Sequence, residues 1–241
     1  MDEVNYAEFQ LNSGIIDKNT YYDKLTLLVI ARVLQSTSVC IDIGAHTGSI
    51  LRLMIKYAPN GQFYVFEPIP YLYKALVQAF KEDNIHVYNL ALSDSAGNSS
   101  FNYVISNPAY SGLIKRRYDF PHEVDTQIIV KTELLDTILA SEKADKVSFI
   151  KIDVEGAEYL VIKGAQERIK KDKPIIVFEH GLGASDYYGK GPEDLYHLLY
   201  DICGLRVSLL QQWLLREKTL NLDTFCDQYY NGKNYYFIAH E

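Results

Sequence analysis

The chain has few cysteines, and their placement excludes two classes of small protein. Cys40, Cys203 and Cys226 are the three cysteines among 241 residues, and they lie far apart. An odd number at these spacings matches neither a disulfide framework nor the close pairs of a structural zinc site. Free thiols are typical of reducing compartments, so we expect a cytoplasmic location.

The sequence also lacks long apolar runs and an excess of positive charge. Its longest continuous apolar run, residues 27–31, is far shorter than the roughly 20 residues that cross a bilayer, so no membrane span is expected. The formal net charge is −7, so we expect no nucleic-acid partner. The N-terminus, MDEVNYAEF, is acidic and unlike a secretory signal.

No internal repeat and no composition break marks a second globular domain, and 241 residues suit one α/β domain with additions. Residues 1–37 are predicted to form an N-terminal helical extension, and residues 38–241 the main domain. The extension carries an amphipathic helix over residues 21–34. It either covers one end of the sheet or forms a lid over a ligand through Tyr21 or Tyr22.

The stretch with the most information is residues 39–48, VCIDIGAHTG. Its apolar run predicts a buried parallel strand, and Asp42 falls near the carboxyl end. Gly44 and Gly48 bracket a tight turn, and apolar residues at helical spacing follow. This order places bare backbone N–H groups and a helix N-terminus at the carboxyl edge of a sheet, where doubly wound folds bind ligands.

The glycine turn reads G-x-x-x-G and lacks the G-x-G-x-x-G spacing of dinucleotide sites. Asp42 would repel a pyrophosphate but not a cationic amino-acid ligand. S-adenosylmethionine (SAM) carries an ammonium, a sulfonium and no phosphate, and glycine lets the backbone approach it closely. The turn therefore predicts a SAM site. One alternative is a turn that only packs a helix on a strand. Another is an NAD-type oxidoreductase.

A second acidic residue, Glu67, follows the next predicted strand, residues 62–66, and precedes Pro68. In this fold an acid at the end of the second strand accepts hydrogen bonds from ribose hydroxyls. A turn at the same edge follows a third predicted strand over residues 85–89, and the adenine is expected there. The predicted adenine contacts are Asn89, Leu90, Ala91, Leu92 and Ser93. Beyond them the sequence predicts a turn over residues 95–100, short strands over residues 101–105 and 126–131, and a helix over residues 132–141. Two final strands, which we expect to form an antiparallel pair, are predicted over residues 205–210 and 235–239.

Two further predicted strands end in acidic residues. The sequence VSFIKIDVEGAE places Asp153 and Glu155 after a buried strand that begins at Val147, and residues 174–178 lead into Glu179 and His180. Two acids beside a methyl donor are costly unless they contact cations or act on protons.

With VCIDIGAHTG and FIKIDVEGAE both present, the sequence resembles the FkbM family of SAM-dependent methyltransferases over roughly residues 38–180. The resemblance implies the α/β class I methyltransferase fold, which is a doubly wound, mostly parallel seven-stranded sheet with helices on both faces. It also implies O-methylation of a hydroxyl, often on a sugar or a polyketide. Family members often carry asparagine where this chain has His46. The predicted cofactor contacts, besides residues 89–93, are Asp42, Gly44, Ala45, His46, Thr47, Gly48, Glu67, Pro68 and Asp153.

An alcohol is a poor nucleophile, so methyl transfer to it needs a general base. We predict His180 or Asp153 as this base, with Glu179 or Glu155 orienting it. A variant in which Asp153 and Glu179 hold Mg²⁺, which lowers the pKa of the hydroxyl, is an alternative. A SAM-fold domain that has lost catalysis and binds a partner is the non-enzymatic alternative.

Residues 106–125 are predicted to be an irregular loop, which closes over an acceptor or is a solvated charge run through Lys115, Arg116 and Arg117. The chain has 20 tyrosines and one tryptophan. Aromatic faces pack on sugar rings, which favours a glycan or other small-molecule acceptor; tyrosine as ordinary filler is equally compatible. The tyrosines in or near the predicted loops are Tyr110, Tyr118, Tyr187, Tyr188, Tyr229 and Tyr230.

Overall fold

The computed structural model describes residues 4–5, 7–8, 11, 16–118 and 122–241. These residues form strands β1 (Val39–Ile43), β2 (Gln62–Phe66), β3 (Ile85–Tyr88), β4 (Ala91–Leu92), β5 (Gly97–Val104), β6 (Asp125–Glu133), β7 (Val147–Ile152), β8 (Ile175–Glu179), β9 (Arg206–Ser208) and β10 (Tyr236–His240). The longer helices are α1 (Lys18–Val33), α2 (Ser49–Tyr57), α3 (Pro70–Ala79), α4 (Leu135–Ser141), α5 (Glu158–Lys163), α6 (Gln166–Asp172), α7 (Pro192–His197), α8 (Leu210–Leu214) and α9 (Leu222–Tyr230).

Seven strands form the main sheet in the order β3-β2-β1-β7-β8-β10-β9. The five from β3 to β8 are parallel, and β10 runs antiparallel to both β8 and β9. This confirms the predicted mostly parallel sheet and its final antiparallel pair. The strand order reverses between β1 and β7, and such a switch point opens a crevice at the carboxyl ends of the strands.

Helices cover both faces of this sheet, as predicted. Side chains alternate along each strand, so β1 sends Ile41 and Ile43 into one core and Cys40 into the other. The first core is closed by α4, α5, α6, α7 and α9, and the second by α1, α2, α3 and α8.

A small second sheet, in the order β4-β6-β5, corrects two local predictions. Residues 95–100 were expected to be a turn, yet β5 begins at Gly97; a helix was expected from Thr132, yet β6 continues to Glu133. The antiparallel register from Gly97↔Thr132 to Val104↔Asp125 accounts for both differences. This pairing joins segments distant in sequence, so it overrides the weak local preferences of these polar residues.

Helix α1 lies within the predicted N-terminal extension and begins three residues before the predicted helix. Asp17 caps it by accepting a hydrogen bond from the Thr20 N–H at 3.0 Å. Tyr22, Leu25 and Val29 are buried in the second core, so the helix covers the sheet. Among the residues that the structure describes, no helix has the length and apolar character needed to cross a membrane.

Candidate active site

A cavity of about 400 Å³ lies at the switch point, over the carboxyl ends of β1, β2 and β7. This volume falls within the range of small-molecule sites. Its walls come from distant parts of the chain, from α1 near the start to β10 at the end. Most of the predicted cofactor contacts line it: Gly44, Ala45, His46, Glu67, Pro68, Leu90, Ala91, Leu92 and Asp153.

The glycine turn forms one wall of the cavity. Gly44 has a φ of +74°, and a Cβ at this position would lie 1.8 Å from the backbone oxygen of Asp153. Only glycine therefore lets the ends of β1 and β7 approach this closely. With no side chain at Gly44, a ligand in the cavity can approach the backbone of the turn directly.

The backbone amides of the turn are already used, which corrects the prediction of bare N–H groups. Gly44 and Ala45 both donate to the Phe66 carbonyl, at 3.0 and 3.2 Å, and His46 donates to Glu67 Oε2 at 2.9 Å. The turn is thus tied to the end of β2, and a ligand meets its Cα atoms and carbonyls more than its amides.

Three of the predicted cofactor contacts within the motif do not line the cavity. Asp42 is 1% exposed, and its alternation along β1 places it under the sheet edge beside Lys151. Burial raises the pKa of Asp42 to about 6, although Lys151 lowers it. Gly48, at a φ of +76°, is the N-cap of α2, and Thr47 is exposed.

Glu67 is buried in the cavity wall and holds two loops together. Its Oε1 accepts from the Ile69 N–H at 2.8 Å, and its Oε2 accepts from His46. Burial raises the pKa of Glu67 to about 7 against the lowering effect of these hydrogen bonds. Each oxygen keeps a lone pair, so the carboxyl group can still accept from a ribose hydroxyl.

The turn after β3 divides between structural and cavity-lining residues. Asn89 donates from Nδ2 to the Glu67 and Pro68 carbonyls, both at 2.9 Å. Ser93 is buried, and its N–H donates to the Glu133 carbonyl at 3.0 Å. Neither lines the cavity, in contrast to the predicted adenine contacts between them. The expectation that Asn89 and Ser93 hold the adenine edge is replaced by a role in fixing the turn.

Asp153, Glu155 and Glu179 lie together at the ends of β7 and β8, with carboxylate oxygens within 4.8 Å of one another. Burial and the neighbouring Asp153 raise the pKa of Glu179 well above its ordinary value. Asp153 shifts the other way. Burial raises its pKa, but Lys151 and hydrogen bonds from Glu179 and Tyr236 lower it more strongly, to about 2. The two shifts favour the protonated form of Glu179 and the ionised form of Asp153.

Lys151 ties this cluster to the glycine turn. Its Nζ lies 3.1 Å from Asp153 Oδ2 and donates to the Gly44 carbonyl at 3.3 Å. Burial alone would lower the pKa of this buried lysine, but Asp153 and Asp42 raise it. The Tyr236 hydroxyl also donates to Asp153 Oδ2, at 2.8 Å, so this oxygen has two partners within the chain itself.

Glu155 lines the cavity beside Asp153 and has an unusual backbone, with a φ of +56°. Such a conformation is strained for a residue other than glycine, and strain of this kind concentrates at functional sites. Its carboxylate forms an ion pair with Arg116, with 2.7 Å between Oε2 and Nε. Burial and Asp153 raise the pKa of Glu155 to about 8 although Arg116 lowers it.

His180 does not line the cavity. Its ring is 1% exposed and lies parallel to Tyr229, with centroids 4.9 Å apart, and near Phe225. Glu158 is the nearest acid, with 3.8 Å between Oε2 and Nδ1. Successive residues of a strand point to opposite faces, so Glu179 reaches the cluster while His180 turns into the other core. This placement leaves His180 poorly suited to be the general base.

Several cavity-lining residues were not predicted. Helix α1 contributes Asp23 and Thr26, so the extension covers the sheet and also walls the cavity, though through neither Tyr21 nor Tyr22. Lys151 had a signal in the sequence, since a charge inside an apolar strand must find a partner. Tyr236 carried no such signal.

Similarity to known proteins agrees with this geometry. The family model described as the methyltransferase FkbM domain matches residues 42–202, from the first strand to beyond α7. The chain belongs to the FkbM methyltransferase family. This membership confirms the family predicted from the two motifs, and it implies SAM as the cofactor.

Two curated relatives of this FkbM chain are similar at low identity. The 2-O-methyltransferase NoeI of Sinorhizobium fredii is 26% identical over 174 residues, which cover 66% of this chain and 70% of NoeI. The methyltransferase sdnD of Sordaria araneosa is 26% identical over 162 residues, which cover 56% of this chain and 62% of sdnD.

A solved structure supports the fold of this FkbM chain. The FkbM methyltransferase of Methylobacillus flagellatus superimposes with a TM-score of 0.55 at 16% identity, and the match covers all of this chain and 56% of that one. The class I methyltransferase fold predicted from the sequence is therefore confirmed. Family membership also leaves the NAD-type oxidoreductase alternative without support.

Proposed function

We propose that this FkbM chain methylates a hydroxyl group of a sugar, a glycan or another small-molecule natural product, with SAM as the methyl donor. One observation carries the proposal. A single cavity is lined both by the Gly44 turn, which suits the cofactor, and by Glu155, whose carboxylate suits proton removal. The relatives NoeI and sdnD, a 2-O-methyltransferase and a methyltransferase by name, support the same chemistry.

The residues of the cavity fit SAM. In this proposal the turn Gly44–His46 accommodates the methionyl part, Glu67 accepts from the ribose, and Ala91 and Leu92 border the adenine. When bound, SAM supplies an activated methyl group for a nucleophilic oxygen. Asp153 remains fixed by Lys151 and Tyr236 and contributes a constant negative charge beside the reacting groups.

Glu155 acts as the general base in this proposal. Its raised pKa gives it proton affinity near neutral pH, whereas the lowered pKa of Asp153 makes that carboxylate a weak base. The Glu155 carboxylate accepts the proton of the acceptor hydroxyl as that oxygen gains its methyl group. In this proposal Glu179 keeps its proton and holds Asp153 in place. Glu155 is then the base of the cluster, and the other two acids have supporting roles.

In the metal-assisted alternative, Mg²⁺ would have to compete with a cation of the chain itself for its carboxylate ligands. Of the two carboxylates in that alternative, Asp153 already has Lys151 as its positive partner, with 3.1 Å between Nζ and Oδ2. No comparison supports Mg²⁺. Activity that is lost in excess EDTA and restored by Mg²⁺ would bring this alternative back; activity that persists in EDTA supports Glu155.

The first test substitutes the proposed base. Glu155→Gln keeps the shape of the side chain but removes its proton affinity, so turnover should fall by about 10²–10⁴-fold. Transfer from methyl-labelled SAM to a panel of monosaccharides, oligosaccharides and hydroxylated polyketides measures the loss. SAM binding, followed by the rise in melting temperature, should be retained.

His180→Phe is the matched comparison, since it removes the other predicted base while it keeps a ring among Tyr229 and Phe225. We expect it to keep more than about a tenth of the wild-type turnover, because a general base contributes at least about 100-fold. Full activity of Glu155→Gln together with loss in His180→Phe would reverse the assignment. SAM binding without turnover on any acceptor would favour the non-catalytic alternative.

A further inference from the structure

Residues 105–118, which we call the strap, fold back over the cavity from the end of β5. Asn102 and Gly112 form an antiparallel bridge with hydrogen bonds of 2.8 and 3.1 Å, which holds the strap against β5. Pro108, Ser111 and Leu113 line the cavity. The predicted irregular loop is thus an ordered cover whose inner side forms part of the site.

Arg116 is the residue of the strap that reaches the carboxylate cluster. Its side chain is 11% exposed, and its guanidinium lies over the Tyr110 ring, 4.4 Å from the centroid. The ring fixes the plane of the guanidinium, as expected for a stacked arginine. Its two basic neighbours differ, since Lys115 pairs with Asp125 and Arg117 is exposed.

Most of the groups that face Glu155 are acidic residues. Asp153 lies on one side, and Glu158 on α5 adds repulsion. Glu179 on β8 belongs to the same cluster, and the Tyr188 ring lies nearby. Arg116 is the cation paired with Glu155 among the described residues. Without it, an ionised Glu155 would face Asp153 uncompensated, on a backbone that is already strained.

We propose that Arg116 is the positioning residue for Glu155, so that the strap aligns the proposed base when it covers the cavity. The proposal rests on the proposed function, in which Glu155 removes the proton of the acceptor. Arg116 is not on the cavity lining. It acts through Glu155, by holding the carboxylate toward the cavity and by favouring its ionised form against the neighbouring acids.

The loss of this contact has two separable consequences. First, the carboxylate is free to turn away from Asp153, and a displacement of about 1 Å costs on the order of 100-fold in rate. Second, a neighbouring opposite charge lowers the pKa of a carboxyl group by about 1–3 units, so its removal moves the titration of Glu155 to higher pH. A residue that only stabilises the fold would change neither.

The experiment compares Arg116→Gln, Arg116→Lys and the matched control Arg117→Gln. For Arg116→Gln we expect kcat to fall by about 10–100-fold, with the KM for SAM unchanged within about twofold. The acidic limb of its pH–rate profile should move to higher pH by about one unit. Arg116→Lys should restore most of the pH profile but only part of kcat, since lysine keeps the charge and lacks the planar fork. Arg117→Gln should match the wild type.

Three results would overturn the proposal. They are an unchanged kcat and pH profile in Arg116→Gln, an equal loss in Arg117→Gln, and a loss confined to the KM for the acceptor. If Arg116→Gln does not fold, the Arg116→Lys variant tests the proposal instead. If Arg116 only stabilised the fold, the folded Arg116→Lys protein would have the kcat of the wild type.

The double variant Glu155→Gln/Arg116→Gln separates this proposal from the proposed function. With Glu155 as base, the second substitution should add no further loss. A Glu155→Gln enzyme with normal turnover would instead remove Glu155 as base, whatever Arg116 does. An additive loss in the double variant would place Arg116 outside the action of Glu155 and contradict the positioning role.

Discussion

At the scale of single residues, Gly44 is the position where the fold and the site constrain each other most. Gly44→Ala would combine left-handed backbone with a Cβ that lies 1.8 Å from the Asp153 oxygen. The backbone strain costs about 1–2 kcal/mol and the overlap a further 1–3 kcal/mol. We expect a loss of about 3 kcal/mol in the free energy of unfolding by urea, together with loss of SAM binding.

Gly189→Ala is the control for the backbone contribution alone. Gly189 has a φ of +66°, close to that of Gly44, but a Cβ added there would have no heavy atom within 4 Å beyond its chain neighbours. This variant should lose only the backbone contribution of about 1–2 kcal/mol and keep its affinity for SAM. Equal losses in both variants would show that the close approach of β1 and β7 has no energetic consequence.

Predicted site residues reach the cavity where a motif fixed their place, and miss it where the direction of a side chain mattered. Gly44, Glu67, Asp153 and Glu155 all reach the cavity because strand ends at a sheet edge converge. His180 was placed wrongly in the prediction because a one-residue step along a strand reverses the side chain. The partners of the carboxylates come from distant segments, which no local pattern reveals.

At the scale of elements, helix α1 supports the carboxylate cluster through aromatic contacts. Tyr22 stacks on Tyr236 with centroids 5.1 Å apart, and Tyr236 donates to Asp153. Tyr22→Ala should therefore lower the free energy of unfolding by about 3–5 kcal/mol, as for other buried aromatic residues. It should also weaken SAM binding in an isothermal titration, because Tyr236 loses its packing.

Tyr22→Phe provides the comparison, since it keeps the ring and removes the hydroxyl that donates to Asn234 at 2.7 Å. Loss of this hydrogen bond should cost about 1 kcal/mol and leave SAM binding unchanged. If the Tyr22→Ala variant binds SAM as tightly as the wild type, α1 does not support the cofactor site through this contact.

Elements could be predicted from the sequence where apolar runs were continuous. Strands β1, β2 and β7 match their predicted ranges because buried parallel strands leave a strong local signal. Strands β5 and β6 exceed theirs, since the polar residues 97–100 and 132–133 join the small sheet only through pairing with distant segments. Residues 97–100 pair with residues 129–132, and residues 132–133 pair with β4. The strap likewise depends on contacts across the fold.

At the scale of the whole molecule, buried carboxyl groups determine how stability responds to pH. Burial raises the pKa of Glu67 to about 7 and that of Asp42 to about 6. A carboxyl group with a raised pKa stabilises the fold at low pH, and this contribution is lost as pH rises through the folded-state value. Without ligand, the free energy of unfolding should therefore fall between pH 5 and pH 7, by at least about 2 kcal/mol.

Urea unfolding of the ligand-free protein at pH 5, 6 and 7 measures this slope. His46 opposes it, because burial lowers the pKa of this histidine and its contribution is lost as pH falls. The lowered pKa of Asp153 acts below pH 4 and leaves this window untouched. Glu67→Gln should flatten the slope. Stability that rises from pH 5 to pH 7 in the wild type would contradict the raised pKa values.

The place of β10 in the main sheet affects how the chain is made. This strand lies between β8 and β9, although it is the last of the three in sequence. The outer edge of β8, an apolar IIVFE segment, stays unpaired until residues 236–240 have been synthesised, 57 residues later (236 − 179). At roughly 5–20 residues per second, translation leaves this edge open for about 3–11 s. An open apolar edge invites pairing with other nascent chains, so aggregation on the ribosome is the expected limit on yield.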